Sequence, residues 1–409
     1  MTPQTLQTQS SAGGPFSFRE FVALSAALMA LGAMGVDTML PALPAIGASL
    51  GVATDNERQF VIAIYLGGLG IGQLLHGPLS DRWGRRPVMI VGLIGYVLAN
   101  LVAAASSSFV LLLAARLLGG FLAAATRVVT VAIVRDCYSG RAMARAMSLV
   151  SLVFMIAPVL APALGQFILT FGTWRLTFEI IAALSVVVLI WFWLRMPETL
   201  AGVAENMSLG NLVERYRKTI TNRWSLGYTL AATMLQGALF GYITSIQQIV
   251  TAVFRAPQLL TLVFAGTAGM LAVANLFNAQ VVMRLGSRFL SHTALVCMIA
   301  VSAINVVISM LGLETVIVFV ALQGMTMCCF SLSVTNFNAM AMQDMGEIAG
   351  TASSLQGFSV VTFGALIGAT IGQAFAGTTL PLHLGFLVCG LIALMIVAVA
   401  ERGRLFRPH

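Results

Sequence analysis

The chain has 409 residues, 59% of them hydrophobic and only 9% charged, with a mean hydropathy of +0.95 and a net charge of +8. A water-soluble protein of this size could not cover that much apolar surface, so lipid must be its solvent. The basic residues form no face and no patch interleaved with aromatics, which argues against nucleic acid as a partner.

The first seventeen residues are polar and lack a basic stretch ahead of an apolar core, so they read as a disordered cytoplasmic tail and not as a cleaved signal peptide. Apolar runs then fall at 18–45, 58–79, 87–106, 108–135, 143–170 and 175–196, and, after a polar link, at 225–253, 259–283, 289–311, 314–341, 349–375 and 380–400. At about 20 residues per crossing these are twelve transmembrane helices. With the N-terminus inside, the cytoplasmic segments carry 17 of the 22 basic residues and the outer loops only Arg58, Arg175 and Arg255. A single missing span would invert every later loop, so this asymmetry predicts twelve helices with both ends cytoplasmic. The expected division is a tail at 1–17, a six-helix bundle at 18–196, a cytoplasmic link at 197–224, a second six-helix bundle at 225–400 and a tail at 401–409.

The densest charge lies at 77–87, GPLSDRWGRRP, which reads as a short aqueous connection between two spans. Its Arg82-x-Gly84-x-Arg86 recurs as Arg284-x-Gly286-x-Arg288, and Gly165–Gln166 recurs as Gly372–Gln373. Offsets of 202 and 207 residues suit two pseudo-symmetric halves, the organisation of secondary transporters that bind their cargo between the halves. Cys137, Cys297, Cys328, Cys329 and Cys389 show no metal-ligand or redox spacing, and His76, His292, His383 and His409 stand singly. No enzyme site, metal or cofactor is expected from them.

The 77–87 stretch resembles the signature between helices 2 and 3 of the major facilitator superfamily, matched by Gly77, Leu79, Asp81, Arg82, Gly84, Arg85 and Arg86. MGVDTMLPALPAI at 34–46 resembles the helix 1 signature of drug:proton antiporters. The stretches at 133–150 and 157–166, with GTWRLTF at 172–178 and MPET at 196–199, are similar to the bicyclomycin-resistance subfamily. In the helix 5 antiporter motif alanine replaces glycine at Ala157 and Ala161, Pro158 and Pro162 stand as hinge candidates beside Gly165, and Gln166 adds a polar group. The resemblance implies an all-α membrane fold, proton-driven export of small amphipathic drugs or metabolites by alternating access, and a monomer in the bacterial inner membrane. It further implies that Asp81, near the N-terminus of helix 11, holds the cytoplasmic side shut, a place where an anion is favoured.

Asp37 leads the candidates for proton coupling. The apolar run continues past Pro41 and Pro44, which puts the carboxylate inside the span and not at the interface, and such a group is costly unless used. Arg116 and Arg127 are eleven residues apart and project within about 20° of each other on a helix. Arg116 lies near the depth of Asp37 and is expected to pair with it; its alternative role is a structural anchor between helices. Glu179 either pairs with Arg175 one turn back or serves as a second cavity acid. Tyr65, Gln236, Tyr242, Gln247, Gln248, Asn275, Asn278, Asn336, Asn338 and Gln356 are polar residues within spans that could line a substrate cavity. The main alternative to export is a proton symporter or uniporter importing a small polar nutrient, which the fold alone does not exclude.

Overall fold

A computed structural model describes residues 16–200 and 209–406, without the side chains of 144, 151–159, 209–212, 279 and 347. Parts of the expected tails and link (1–15, 201–208 and 407–409) therefore lie outside the described residues. In chain order the long helices are α1 (Phe18–Leu50, interrupted), α2 (Glu57–Trp83), α3 (Arg85–Ala104), α4 (Phe109–Cys137), α5 (Gly140–Leu169) and α6 (Trp174–Arg195). A link helix, Leu209–Thr221, precedes α7 (Arg223–Val253), α8 (Pro257–Leu285), α9 (Ser287–Met310), α10 (Val316–Met342), α11 (Ala349–Gln373) and α12 (Leu380–Ala400). Among the described residues eleven helices are long and apolar enough to cross a bilayer. The twelfth, α5, is a 30-residue helix whose central side chains are not described.

The helices begin where polar residues can replace missing backbone partners. Ser108, Thr315 and Asn222 each accept a hydrogen bond from a first-turn N–H of α4, α10 and α7. Polarity is arranged inside out relative to a soluble protein. Met283 and Ile317 are 87% and 81% exposed, whereas Arg116 and Asn336 are 2% and 3% exposed. Lipid accepts the former, and only the bundle interior accepts the latter.

The expected loop at 77–87 is almost entirely helical. α2 runs through Pro78 to Trp83, and α3 starts at Arg85, leaving Gly84 as the sole connecting residue. The charges fit on helix because Arg85 reaches Asp81 one turn back and Asp136 at the end of α4, the latter at 2.9 Å. Gly84 has φ 95° and ψ 152°; its repeat Gly286, between α8 and α9, has φ 79° and ψ 151°. A side chain would strain both positions, so the repeated motif is a repeated one-residue corner.

The pairings repeat as well. α1 packs on α5, α2 on α4, α3 on α4 and α3 on α6; six helices later α7 packs on α11, α8 on α10, α9 on α10 and α9 on α12. The fold is therefore two pseudo-symmetric six-helix bundles, joined chiefly by α2 against α11 and α5 against α8. Within the first bundle α2 and α4 meet backbone to backbone. A Cβ on Gly68 would lie 2.1 Å from the Leu117 oxygen, one on Gly72 2.3 Å from the Phe121 oxygen, and one on Gly120 2.0 Å from the Tyr65 oxygen. Small residues permit this approach where no hydrophobic force favours helix over lipid.

Gly120→Ala is expected to destabilise the fold by about 1–3 kcal/mol through overpacking, seen as a lower thermal midpoint in detergent. Gly67→Ala, with nothing within 4 Å of the added carbon, should hold or raise that midpoint.

Candidate functional site at the break in helix 1

Pro41 lacks the N–H that would bond the Asp37 carbonyl in a continuing helix, and Pro44 lacks the one for Leu40. Regular α-helix accordingly ends at Asp37, resumes as a 3₁₀ turn at Leu40–Ala42 and continues as α-helix at Leu43–Leu50. The end of the first segment leaves carbonyls with unused acceptor capacity deep in the bundle. Arg116 supplies donors to it: its Nη2 bonds the Gly35 carbonyl at 2.7 Å and its Nε the Val61 carbonyl of α2 at 2.9 Å. The guanidinium lies 4.1 Å from the centre of the Tyr65 ring. The Tyr65 hydroxyl donates to the Gly32 carbonyl at 3.1 Å, and the Tyr96 hydroxyl donates to that of Leu31 at 3.3 Å. α5 braces the other side of the break, with Gly165 so close that a Cβ would lie 2.2 Å from the Thr38 oxygen.

Asp37 is 5% exposed, and its Oδ1 has no hydrogen-bond partner among the described residues. The expected Asp37–Arg116 ion pair is not formed. The guanidinium fork instead bonds Gly35 of the broken helix and Val61 of α2, tying the two helices together. The 3₁₀ turn just past Asp37 packs against α7, which places the break at the seam between the halves. Arg127 is accessible midway along α4. Glu179 is exposed, and Arg175 does not pair with it; Arg175 donates to the Ser106 carbonyl at 3.0 Å and stacks on Trp174. Pro162 is buried within an uninterrupted α5, and the Pro158 side chain lies outside the described residues.

The polar residues of the second half form cross-helix pairs. Asn336 donates to Asn278 at 2.7 Å, Thr335 to Asn275 at 2.8 Å and Gln356 to Asn338 at 3.0 Å. Tyr242 bonds Thr267, and Gln247 bonds Thr251 within α7. Tyr65 belongs to the core of the first bundle, and Gln248 lies at the arginine-poor end, hydrogen-bonded to Asn56 at 3.0 Å.

At the arginine-rich end, Arg85 bonds Asp81, Asp136 and Ser80, while Arg82 is exposed. Glu198, just past α6, caps α3 by accepting the backbone N–H of Arg85 at 2.9 Å and of Arg86 at 3.1 Å. Arg86 also donates to the Trp193 carbonyl. Sequence reasoning assigned no role to Asp136 or Glu198. The single acid of MPET just past α6 and the Arg135–Asp136 step were the available signals. The contact expected between Asp81 and the start of α11 is replaced by a cavity of about 310 Å³ whose lining includes Asp81, Arg135, Arg215 of the link helix and residues 348–350. Gly77 comes close to Ser354, and the Arg135 guanidinium comes close to Gly350.

Burial alone would raise the Glu198 carboxyl, but the N–H groups of Leu200, Arg86, Arg85 and Thr199 outweigh it and hold the group below its ordinary value of 4.5. A depressed acid contributes stability that is complete above its unfolded value and fades as pH falls through the folded one. Glu198→Gln should therefore melt lower than wild type at neutral pH, with the gap closing below about pH 4.5 in a thermal-melt series.

The profile of the Major Facilitator Superfamily matches residues 23–369. A bicyclomycin resistance protein homolog of Haemophilus influenzae is 26% identical over 385 residues, spanning 92% of this chain and 94% of the relative. A chloramphenicol resistance protein of Pseudomonas aeruginosa is 28% identical over 346 residues, spanning 83% and 81%. The xylose transporter XylE of E. coli, in a partially occluded inward-open conformation, superposes with a TM-score of 0.71 at 12% identity, covering 92% of this chain and 96% of that one, a likeness of fold. The repeated corners, the paired bundles and this match over most of the chain make it a member of the Major Facilitator Superfamily.

Proposed function

We propose that this chain is a proton-coupled exporter of small amphipathic compounds, acting as a monomer in a bacterial inner membrane with both termini in the cytoplasm. The observation that carries the reading is the buried carboxyl of Asp37, with an oxygen that has no hydrogen-bond partner, at a helix break facing the opposite half. An ionised carboxylate there costs several kcal/mol unless neutralised, and both a proton and a cationic or strongly donating substrate can neutralise it. Exclusive occupation by one or the other is antiport. A proton taken from outside leaves Asp37 toward the cytoplasm as substrate enters, and the loaded site then turns outward.

Arg116 holds the broken end of α1 against α2 and α4, so the carboxyl keeps its position while the halves rock. Arg127 and the half-buried Asn275, Asn338 and Gln356 are assigned to the cavity wall, and residues 197–224 to a cytoplasmic tether between the bundles. The Asp81 corner between α2 and α3 is assigned to the cytoplasmic gate, open at the cavity beside α11. The names of the relatives, resistance proteins for bicyclomycin and chloramphenicol, supply the first compounds to try.

Adding such compounds to detergent-solubilised protein should release protons from wild type and none from Asp37→Asn, with ligand binding retained in the variant. Release that persists in the variant would move the coupling site elsewhere. Arg116→Lys keeps the charge but cannot bond two carbonyls through a fork. Transport in proteoliposomes is expected to fall more than about tenfold, in line with the loss of a charge-assisted hydrogen bond, while the protein still elutes as a folded monomer.

A further inference from the structure

The end of the molecule opposite the arginine-rich corners is held by side-chain amides. Asn56, in the turn before α2, donates its Nδ2 to the carbonyls of Gln373 and Phe375, each at 3.0 Å, where α11 ends and acceptors are left over. Gln373 returns the bond through Nε2 to the Asn56 carbonyl at 2.7 Å. Gln248 of α7 donates to Asn56 Oδ1 at 3.0 Å and accepts from Gln59. Every one of these bonds joins the first half to the second. A further bond, Thr261 of α8 to Gln166 of α5 at 2.7 Å, crosses the same seam.

No charged side chain takes part. Of the ionisable residues nearby, Asp55 and Arg58 pair with each other, Glu57 is half-buried in the same turn, and Arg255 is exposed beyond α7. Residues 374–379, between α11 and α12, contain none, although Thr379 at their end bonds Glu314, which pairs with His383 at 2.8 Å, apart from the amide bonds. Below the amides, Thr244 is buried against Gly372, which also meets Gln59. The break in α1 that carries Asp37 touches α7 as well, and α1 runs on from it to Leu50, just before the turn of Asn56.

We infer that Asn56, Gln59, Gln248 and Gln373 form a neutral clasp that shuts the arginine-poor entrance and releases each time the site turns toward it. The inference rests on the alternating-access reading above. Amides keep the same donors and acceptors across the physiological pH range, so the clasp holds equally on either side of a proton gradient. The gradient then acts through Asp37 and not through the strength of this gate.

The test uses the full chain with its five cysteines replaced and a single cysteine introduced by Thr244→Cys. Intact cells are treated from outside with a membrane-impermeant maleimide, and each variant's rate is divided by the parent's at the same pH. Asn56→Ala is expected to label about tenfold faster, corresponding to about 1.4 kcal/mol in the opening equilibrium at RT of about 0.59 kcal/mol. Gln248→Glu loses the donor to Asn56 when ionised and regains one when protonated. Its ratio should therefore exceed one at neutral pH and fall toward one as the pH is lowered. That return within one variant separates opening from misfolding. An unchanged ratio for Asn56→Ala, or a Gln248→Glu ratio that does not vary with pH, overturns the clasp. Labelling is independent of cargo, so absent proton release with the expected labelling would count against the export reading alone.

Discussion

The structure depends on a helix that cannot finish. Two prolines deny α1 its backbone donors just past Asp37, and unused carbonyls are then stranded in a low-dielectric interior, where each unmade bond is expensive. Arg116 of α4 answers at the Gly35 carbonyl in the last turn, while Tyr65 of α2 and Tyr96 of α3 add second hydrogen bonds to the Gly32 and Leu31 carbonyls of the intact turn before it. All three donors reach one turn and a half of α1. The close α2–α4 contact through Gly68, Gly72 and Gly120 brings Arg116 and Tyr65 within reach of it. Carbonyl hydrogen bonds spend the guanidinium, which leaves the neighbouring carboxyl without an arginine partner. Its lack of an arginine follows from how the break is satisfied.

Architecture was legible in the sequence because it is written in local terms. Span lengths, the one-sided distribution of arginine and the recurrence of Arg-x-Gly-x-Arg need no knowledge of distant contacts, and the backbone confirms the recurrence in the matched dihedrals of Gly84 and Gly286. Partnerships escaped the sequence even at short range: Asp81 meets Arg85 where α11 was expected, and Arg175 bonds the Ser106 carbonyl instead of Glu179. The Asp81–Arg85 pair lies one turn apart. Arg116 and Gly35 are 81 residues apart, and Asn56 and Gln373 are 317 apart. Composition marks such residues as polar in a span, and no periodicity says which polar residue another meets. Gln248 illustrates the limit: an amide within an apolar run reads as cavity wall, yet its depth along α7 puts it at the closed end.

The second half repeats the corner of the first but not its chemistry. The acid that caps α3, Glu198, has its counterpart 203 residues later in Glu401, which accepts from Tyr228 at 2.6 Å and pairs with Arg288 at 3.1 Å. The C-terminal ends of α6 and α12 are thus each pinned to the arginine corner beside them. Asp81 has no such counterpart: the position 202 residues on is Met283, which is 87% exposed. The scaffold is symmetric, and the acid at the Asp81 position is present once.

That asymmetry bears on how a symmetric pair of bundles can work in one direction. At the arginine-rich end the halves face each other across a cavity holding Asp81 and arginines, so closure there exchanges solvated charges for an anion at a helix N-terminus, an interaction sensitive to salt and to any ion that enters. At the other end closure exchanges hydrated amides for paired amides, which ions leave almost untouched. The two ends therefore answer to different variables. The medium on the arginine-rich side biases one, while the other keeps a constant strength. An exporter that meets a variable acidic exterior is served by a neutral outer closure, because protonation is then registered at the carboxyl beside the break in α1 and nowhere along the way in.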